Sequence, residues 1–294
     1  MANQYFALAI SNVNPFNNCC ILKWPTNMKT HLLTNKQASL EVYEYGAHVT
    51  SWISQTGQQR IFTSKQAIFE EPIAIRGGIP IIFPQFNERG PIVRHGFARN
   101  MNWQVLNKNQ EKIVFELKSD QHTQLLWPYH FRALYSIELH EQSLSLSLTI
   151  KNTDSKPFSF TGALHSYFKI NQLSKSSING LKDLKYWDNN GSNFTDRKTE
   201  SNSSLTFNDA IDRVYFKLNT PINFNNGIET LTIAHEGFDD CVIWNPCIED
   251  AKKMRDFSDE EYNQMLCIEA AQVDQPIELM PNEVWTGTQT ISQT

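Results

Sequence analysis

The chain has 294 residues, of which 40% are hydrophobic and 19% charged, with a formal net charge of −5. That composition suits an ordinary folded globular protein, and the acidic balance excludes nucleic acid and anionic membrane surfaces as expected partners. No apolar run reaches the roughly 20 residues of a membrane span, and the first residues, MANQYFALAISNVNPF, lack the basic start and long apolar core of a secretory signal. Five cysteines, Cys19, Cys20, Cys241, Cys247 and Cys267, are odd in number and irregularly spaced. They fit neither a disulfide framework nor a zinc site, so a reducing cytoplasm is the expected location. Three N-x-S/T matches at Asn190, Asn193 and Asn202 fall in an Asn/Ser-rich stretch where chance matches are common.

Residues 1–37 are weakly patterned and read as a first strand or two with irregular connections. From Ala38 to Trp52 the text is β-like, with Leu40 and Val42 on one face and Gly46 as a bend or bulge. Next comes RGGIPIIFPQFNERGPIVRHGFAR, Arg76 to Arg99. Gly77 and Gly78 permit unusual backbone angles, while Pro80 and Pro84 fix φ and remove donors, so this is a rigid irregular loop. It is either a structural turn with solvated arginines or a cationic site built from Arg76, Arg94, His95 and Arg99. Arg89 competes with Arg94 for such a role.

Short strands follow at Trp103–Leu106 and Lys112–Leu117. The clearest signal is the alternation of Phe131, Ala133, Tyr135, Ile137 and Leu139, a turn near Glu141 and Gln142, and then Leu144, Leu146, Leu148 and Ile150 against serines. This is an antiparallel hairpin with one buried face. Phe158–Ile170 is apolar on both faces and therefore more central. Residues 186–209 read as an exposed loop. Further strands are expected at Val214–Leu218, Thr230–Ala234, Val242–Trp244, Met265–Val273 and Val284–Ile291. The one helix expected is Ile248–Met254, with a turn at Asp259–Asn263. No repeat or linker divides the chain. The fold class is all-β, a β-sandwich or barrel-like fold in one domain over residues 1–294, with little helix.

Ionisable side chains inside apolar strands are the informative anomalies. His165 sits in GALHSYF, either as a core histidine satisfied by a backbone carbonyl or as a functional group. Glu269 sits in MLCIEAAQV and must be neutral, paired or at a cavity, because an unpaired buried carboxylate is costly. Asp212, beside Arg213, fits a surface ion pair or turn cap as well as a ligand contact. His31, His48, His122, His130, His140 and His235 form no HExxH pair, and no P-loop, GxGxxG or GxSxG is present. What remains is acid/base chemistry with an arginine anion clamp, suited to isomerising a small phosphorylated molecule.

Taken in order, RGGIPIIFPQF, HGFARNMNW, GALHSYF, DRVY, WNP and DFSDEEYNQMLCIEAA resemble the hexose-6-phosphate mutarotases, a branch of the aldose 1-epimerase-like superfamily. The resemblance runs from about Gly46 to the C-terminus. It implies a large twisted antiparallel β-sandwich of the galactose mutarotase type, a sugar phosphate as small-molecule partner, and no metal or organic cofactor; a monomer is a separate expectation. It further implies His165 as general acid and Glu269 as general base, with Arg76, His95, Arg99 and Asp212 in the substrate-binding set. Arg94 stands where relatives often have glutamine, and adds a cation to that set. Asn282 stands where a glycine commonly follows the proline, and tolerates positive φ.

Overall fold

The computed structural model describes residues 28–293. The alternation at Phe131–Leu139 and Ser143–Asn152 becomes two antiparallel strands paired from Phe131↔Asn152 to Leu139↔Leu144. These two strands belong to a nine-stranded sheet. Its order is Ser204–Thr206, Ser177–Asn179, Ile222–Asn225, Thr230–Glu236, Val284–Gln293, Ser143–Asn152, Phe131–Leu139, Lys112–Lys118 and Gln104–Lys108. An eight-stranded sheet runs Arg197–Thr199, Lys185–Asp188, Ile211–Tyr215, Asp240–Asn245, Met265–Leu279, Phe158–Leu164 and Ile81–Ile82, with Tyr167–Lys169 also paired to Met265–Leu279. Thr30–Thr34, Ala38–Tyr43 and His48–Ser54 form a smaller third sheet.

One apolar core joins these layers, with Leu164, Leu266, Ile268 and Ala270 facing Tyr135, Leu146, Leu148 and Ile291. Each such side chain contributes roughly 1.5–3 kcal/mol when fully buried. The opposite face of the eight-stranded sheet carries separate apolar clusters, including Val214, Val242 and Ala271, and Met265, Cys267 and Tyr167. Among the described residues no helix is long and apolar enough to cross a membrane.

The structure changes several sequence expectations. Ala38–Trp52 is a hairpin rather than one bent strand: Gly46 and Ala47 have φ of 73° and 45°, and Tyr43 pairs with His48 across them. A Cβ on Gly46 would lie 2.7 Å from the Arg99 carbonyl oxygen, so the turn and the arginine loop are in contact. A second α-helix, Gln121–Leu126, was not expected; Asp120 and Thr123 cap it reciprocally. Residues 186–209 hold parts of three short strands, anchored by buried Tyr186, Trp187 and Leu205. Phe158–Ile170 is broken at His165 and Ser166, and Val214–Leu218 is displaced to Ile211–Tyr215, which puts Asp212 within a strand. The early-strand expectation for residues 1–37 is met by Thr30–Thr34, while its remainder, with Cys19 and Cys20, lies outside the described residues.

Candidate active site

The long strand Met265–Leu279 changes partner midway, and the site forms at that change. Its beginning pairs with Tyr167–Lys169, as in Tyr167↔Cys267, and its later part pairs with Phe158–Leu164, as in Leu164↔Ala270. Continuing either register places His165 opposite Glu269. There the ladder is interrupted: the His165 N–H donates to the Pro80 carbonyl at 3.0 Å, and the Ile268 N–H donates to the Ser166 carbonyl at 3.1 Å. Glu269 and Cys267, two residues apart, project from the same face of the strand. Across the sheet the Cys267 row continues through Trp244 to Asp212.

His165 Nδ1 and Glu269 Oε1 lie 3.3 Å apart, with side chains only 10% and 2% exposed. The pair is not aligned as a hydrogen bond, and both His165 Nδ1 and Glu269 Oε2 are buried without a hydrogen-bond partner. Such orphaned atoms inside a fold point to a ligand that completes them. The His165 ring stacks on Tyr167, with centroids 4.8 Å apart and planes 9° apart, and meets Trp244 edge-on at 6.0 Å.

The arginine loop closes over this pair. His95 adopts φ of 67°, a left-handed conformation that costs a non-glycine residue about 1 kcal/mol or more. The loop holds it there by two bonds: the His95 N–H donates to the Asn87 carbonyl, and the Asn87 N–H donates to His95 Nδ1 at 3.3 Å. That second bond leaves the proton on Nε2, so His95 presents an N–H donor. Its ring meets His165 edge-on at 5.7 Å. Gly96 follows with φ of 68°, and a Cβ there would strike the Phe83 carbonyl oxygen. Gln85 ties the loop internally, donating to the Asn87 and Ile92 carbonyls and accepting from the Ile92 N–H.

Arg76 donates to Asp256 Oδ1 at 3.2 Å and to the Tyr167 hydroxyl at 3.4 Å. It is thereby attached to the residue on which His165 stacks. Burial works against the Arg76 cation, but Tyr167 and Asp256 more than offset it and raise its pKa. Arg99 donates to the Arg94 carbonyl at 3.2 Å, and its Nε is buried with no partner. Arg94 is exposed at the rim, yet its charge reaches His95, His165, Glu269 and Asp212. Arg89 instead lies over the rings of Phe194 and Trp187, at 3.4 and 5.7 Å from their centroids. Asp212 does not pair with Arg213, whose partners are Glu200 and Asp188. It accepts from the Asn189 amide at 2.7 Å, and it raises the Glu269 pKa through space.

The electrostatics of the catalytic candidates run in opposite directions. Burial, with Arg99 and Arg76 next in weight, pushes the His165 imidazole well below the usual histidine range. Burial and then Asp212 push the Glu269 carboxyl well above the usual carboxylate range, while Arg94 and Arg99 pull it back. Both shifts favour the uncharged forms, a protonated Glu269 and a neutral His165, the reverse of the charges expected for a base and an acid before reaction.

The sequence reading missed Tyr167, Trp244, Asp256 and Asn189, although the first three lie within its quoted motifs. It also missed Gln289, fully buried on the nine-stranded sheet. Gln289 accepts from Ser166 Oγ at 2.6 Å and donates to the Ile268 carbonyl at 3.1 Å, so it grips the neighbours of both His165 and Glu269 from behind.

Comparison with known proteins places this arrangement in a family. The aldose 1-epimerase family model matches residues 29–292. A Cenchrus ciliaris protein provisionally named glucose-6-phosphate 1-epimerase is 36% identical over 282 residues, covering 91% of this chain and 85% of its own. An Escherichia coli K12 protein with the same provisional name is 28% identical, covering 77% of each chain. The crystal structure of a provisionally named mutarotase from Salmonella typhimurium superposes with a TM-score of 0.82 at 25% identity, covering 91% of both chains. With the matched family spanning almost all of the described residues, the chain belongs to the aldose 1-epimerase family.

Proposed function

We propose that the protein interconverts the α and β anomers of a hexose 6-phosphate, glucose 6-phosphate above all, by opening and reclosing the sugar ring. The observation that carries this reading is the buried His165–Glu269 pair, 3.3 Å apart, with unmade hydrogen bonds beside Arg76 and Arg99. Glu269 takes the proton of the anomeric hydroxyl, the C1–O5 bond breaks as C1=O1 forms, and His165 gives its proton to O5. The aldehyde turns about C1–C2. His165 then recovers the O5 proton as O5 attacks the other face of C1, and Glu269 returns its proton to O1. Each positioned group contributes on the order of 10²–10⁴ in rate.

This sequence needs an ionised Glu269 and a protonated His165, whereas burial favours the uncharged form of each. Both states hold one proton, so a shift within the pair suffices. The substrate supplies the bias. A phosphate seated on Arg76 and Arg99 neutralises the two cations that depress His165 most after burial. Glu269 feels Arg99 and Arg94 but not Arg76 among its leading influences, so the same anion raises His165 more than Glu269. The anomeric hydroxyl meanwhile donates to the orphaned carboxylate oxygen. Arginine suits the anchoring role because its planar fork makes charge-assisted, bidentate contacts to phosphate. His95 Nε2–H and Asp212 are assigned to sugar hydroxyls, and Arg94 to the rim of the phosphate site.

Anomer exchange followed by NMR magnetisation transfer tests the proposal. Acceleration for glucose 6-phosphate and not for free glucose is the expected result. Acceleration of free glucose alone moves the protein to neutral sugars and makes the arginines structural. No acceleration of either refutes the reading.

A further inference from the structure

We propose that His165, Cys267 and Glu269 together form a binding site for a thiophilic divalent cation such as zinc(II), and that its occupancy switches the catalytic pair off. One ligand atom of each residue lies within 4.8 Å of the others, and all three side chains are buried. The 3.3 Å between His165 Nδ1 and Glu269 Oε1 matches the nitrogen–oxygen edge of a tetrahedral zinc centre, about 3.3 Å from bond lengths near 2.0–2.1 Å. Sulfur–nitrogen and sulfur–oxygen edges are about 3.5 Å in the same geometry, so a modest turn of the Cys267 side chain completes the set.

An independent observation points the same way. His165 Nδ1, one corner, is buried with no hydrogen-bond partner, and the Glu269 carboxylate carries a second such atom in Oε2. The mixture of imidazole, thiol and carboxylate favours zinc over magnesium or calcium, which prefer oxygen alone. Three protein ligands leave a fourth position for water or a sugar hydroxyl. On coordination Cys267 and Glu269 each release a proton to solvent and bind as thiolate and carboxylate. The ion then holds the Glu269 carboxylate through Oε1, lowering the basicity of the Oε2 that accepts the anomeric proton, and fixes the His165 ring. Arg76, Arg94 and Arg99 oppose a second cation while Asp212 favours one, which makes the ion a reversible inhibitor rather than a resident. Cysteine spacing did not show this site because its ligands come from two strands joined only by register.

The inhibition, though not the metal binding, rests on the roles proposed above for His165 and Glu269. The test uses the full chain stripped of metal, with zinc titrated into the anomer-exchange assay and cobalt(II) as spectroscopic probe. Zinc is expected to inhibit at one ion per chain, sugar phosphate to protect, and cobalt to give a thiolate charge-transfer band. Cys267→Ser keeps wild-type turnover, loses the cobalt band and requires at least about tenfold more zinc for the same inhibition. Cys267→Ala serves the same purpose if serine impairs folding. Absence of the cobalt–thiolate band in the wild type, equal zinc sensitivity in the cysteine variants, or stimulation by zinc overturns the proposal. A chain with no epimerase activity still answers the binding question through the cobalt spectrum.

Discussion

Arg99→Gln separates a functional cation from a structural one. In the free protein Arg99 has a buried Nε without partner and a single bond to the Arg94 carbonyl. Burial pushes its pKa down to about 10, and Arg76 and Arg94 add to the effect. The free protein gains little from holding this charge, because among the described residues no salt bridge holds it, and Asp256 pairs with Arg76. Replacement by glutamine therefore leaves the unliganded melting temperature unchanged or raised. Substrate binding behaves oppositely. Hydrogen bonds to charged groups contribute about 1.5–3 kcal/mol each, so losing two of them to phosphate costs about 3–6 kcal/mol. That corresponds to roughly 10²–10⁴-fold weaker binding of the sugar phosphate. Thermal unfolding without ligand and anomer exchange across a range of glucose 6-phosphate concentrations measure both quantities. A fall of several degrees in melting temperature with unchanged sugar-phosphate affinity would refute the reasoning and make Arg99 a scaffold residue.

Other perturbations probe the remaining parts of the site. Glu269→Gln removes the proton acceptor and should lower kcat by at least roughly 10²–10⁴ while calorimetry still detects sugar-phosphate binding; unchanged turnover would sink the acid/base assignment. Gln289→Leu leaves Ser166 Oγ and the Ile268 carbonyl without partners, at about 1–3 kcal/mol each. Its melting temperature should fall by about 5–10 °C and kcat should fall more than affinity; stability equal to the wild type would count against the clamp. Asp240 is raised from 3.8 to about 6 by burial and then by Asp274 and Asp239, against N–H bonds from Val273 and Asp274. Its folded state therefore binds more protons than the unfolded chain between these values, and wild-type stability falls as pH rises through that window. Asp240→Asn should remove this fall, giving up to about 3 kcal/mol at neutral pH and no gain near pH 4. Denaturant unfolding at both pH values reads it directly, and an equal effect at both would be contrary evidence.

Much of the fold was legible because burial on one face writes a period of two into the sequence. Phe131–Ile150 shows this most plainly. The same signal misled at Ala38–Trp52, where alternation passes almost unbroken through a hairpin and only two positive φ values reveal the turn. In residues 186–209 a few aromatic and aliphatic anchors hold strands together among asparagines and serines, too sparsely to form a periodic pattern. His165 and Glu269 were each visible as polar anomalies, since an ionisable group in an apolar strand must be explained. Their pairing was not visible, because register depends on contacts more than a hundred residues apart in the chain. Arg94 and Arg89 illustrate the same limit. Nothing local distinguishes the arginine whose charge reaches His165 and Glu269 from the one stacked on Phe194.

The interruption at His165 gives the protein a mechanical property. Its backbone amide hangs from the Pro80 carbonyl, within the same loop that carries Arg76, His95 and Arg99. On the proposed roles, anion capture and proton delivery share this tether, so displacing that segment would carry the imidazole with it. Attempts to retune which sugar is accepted are best confined to the far limb around residues 87–94. Remodelling nearer Pro80 would alter the stroke as well as the grip.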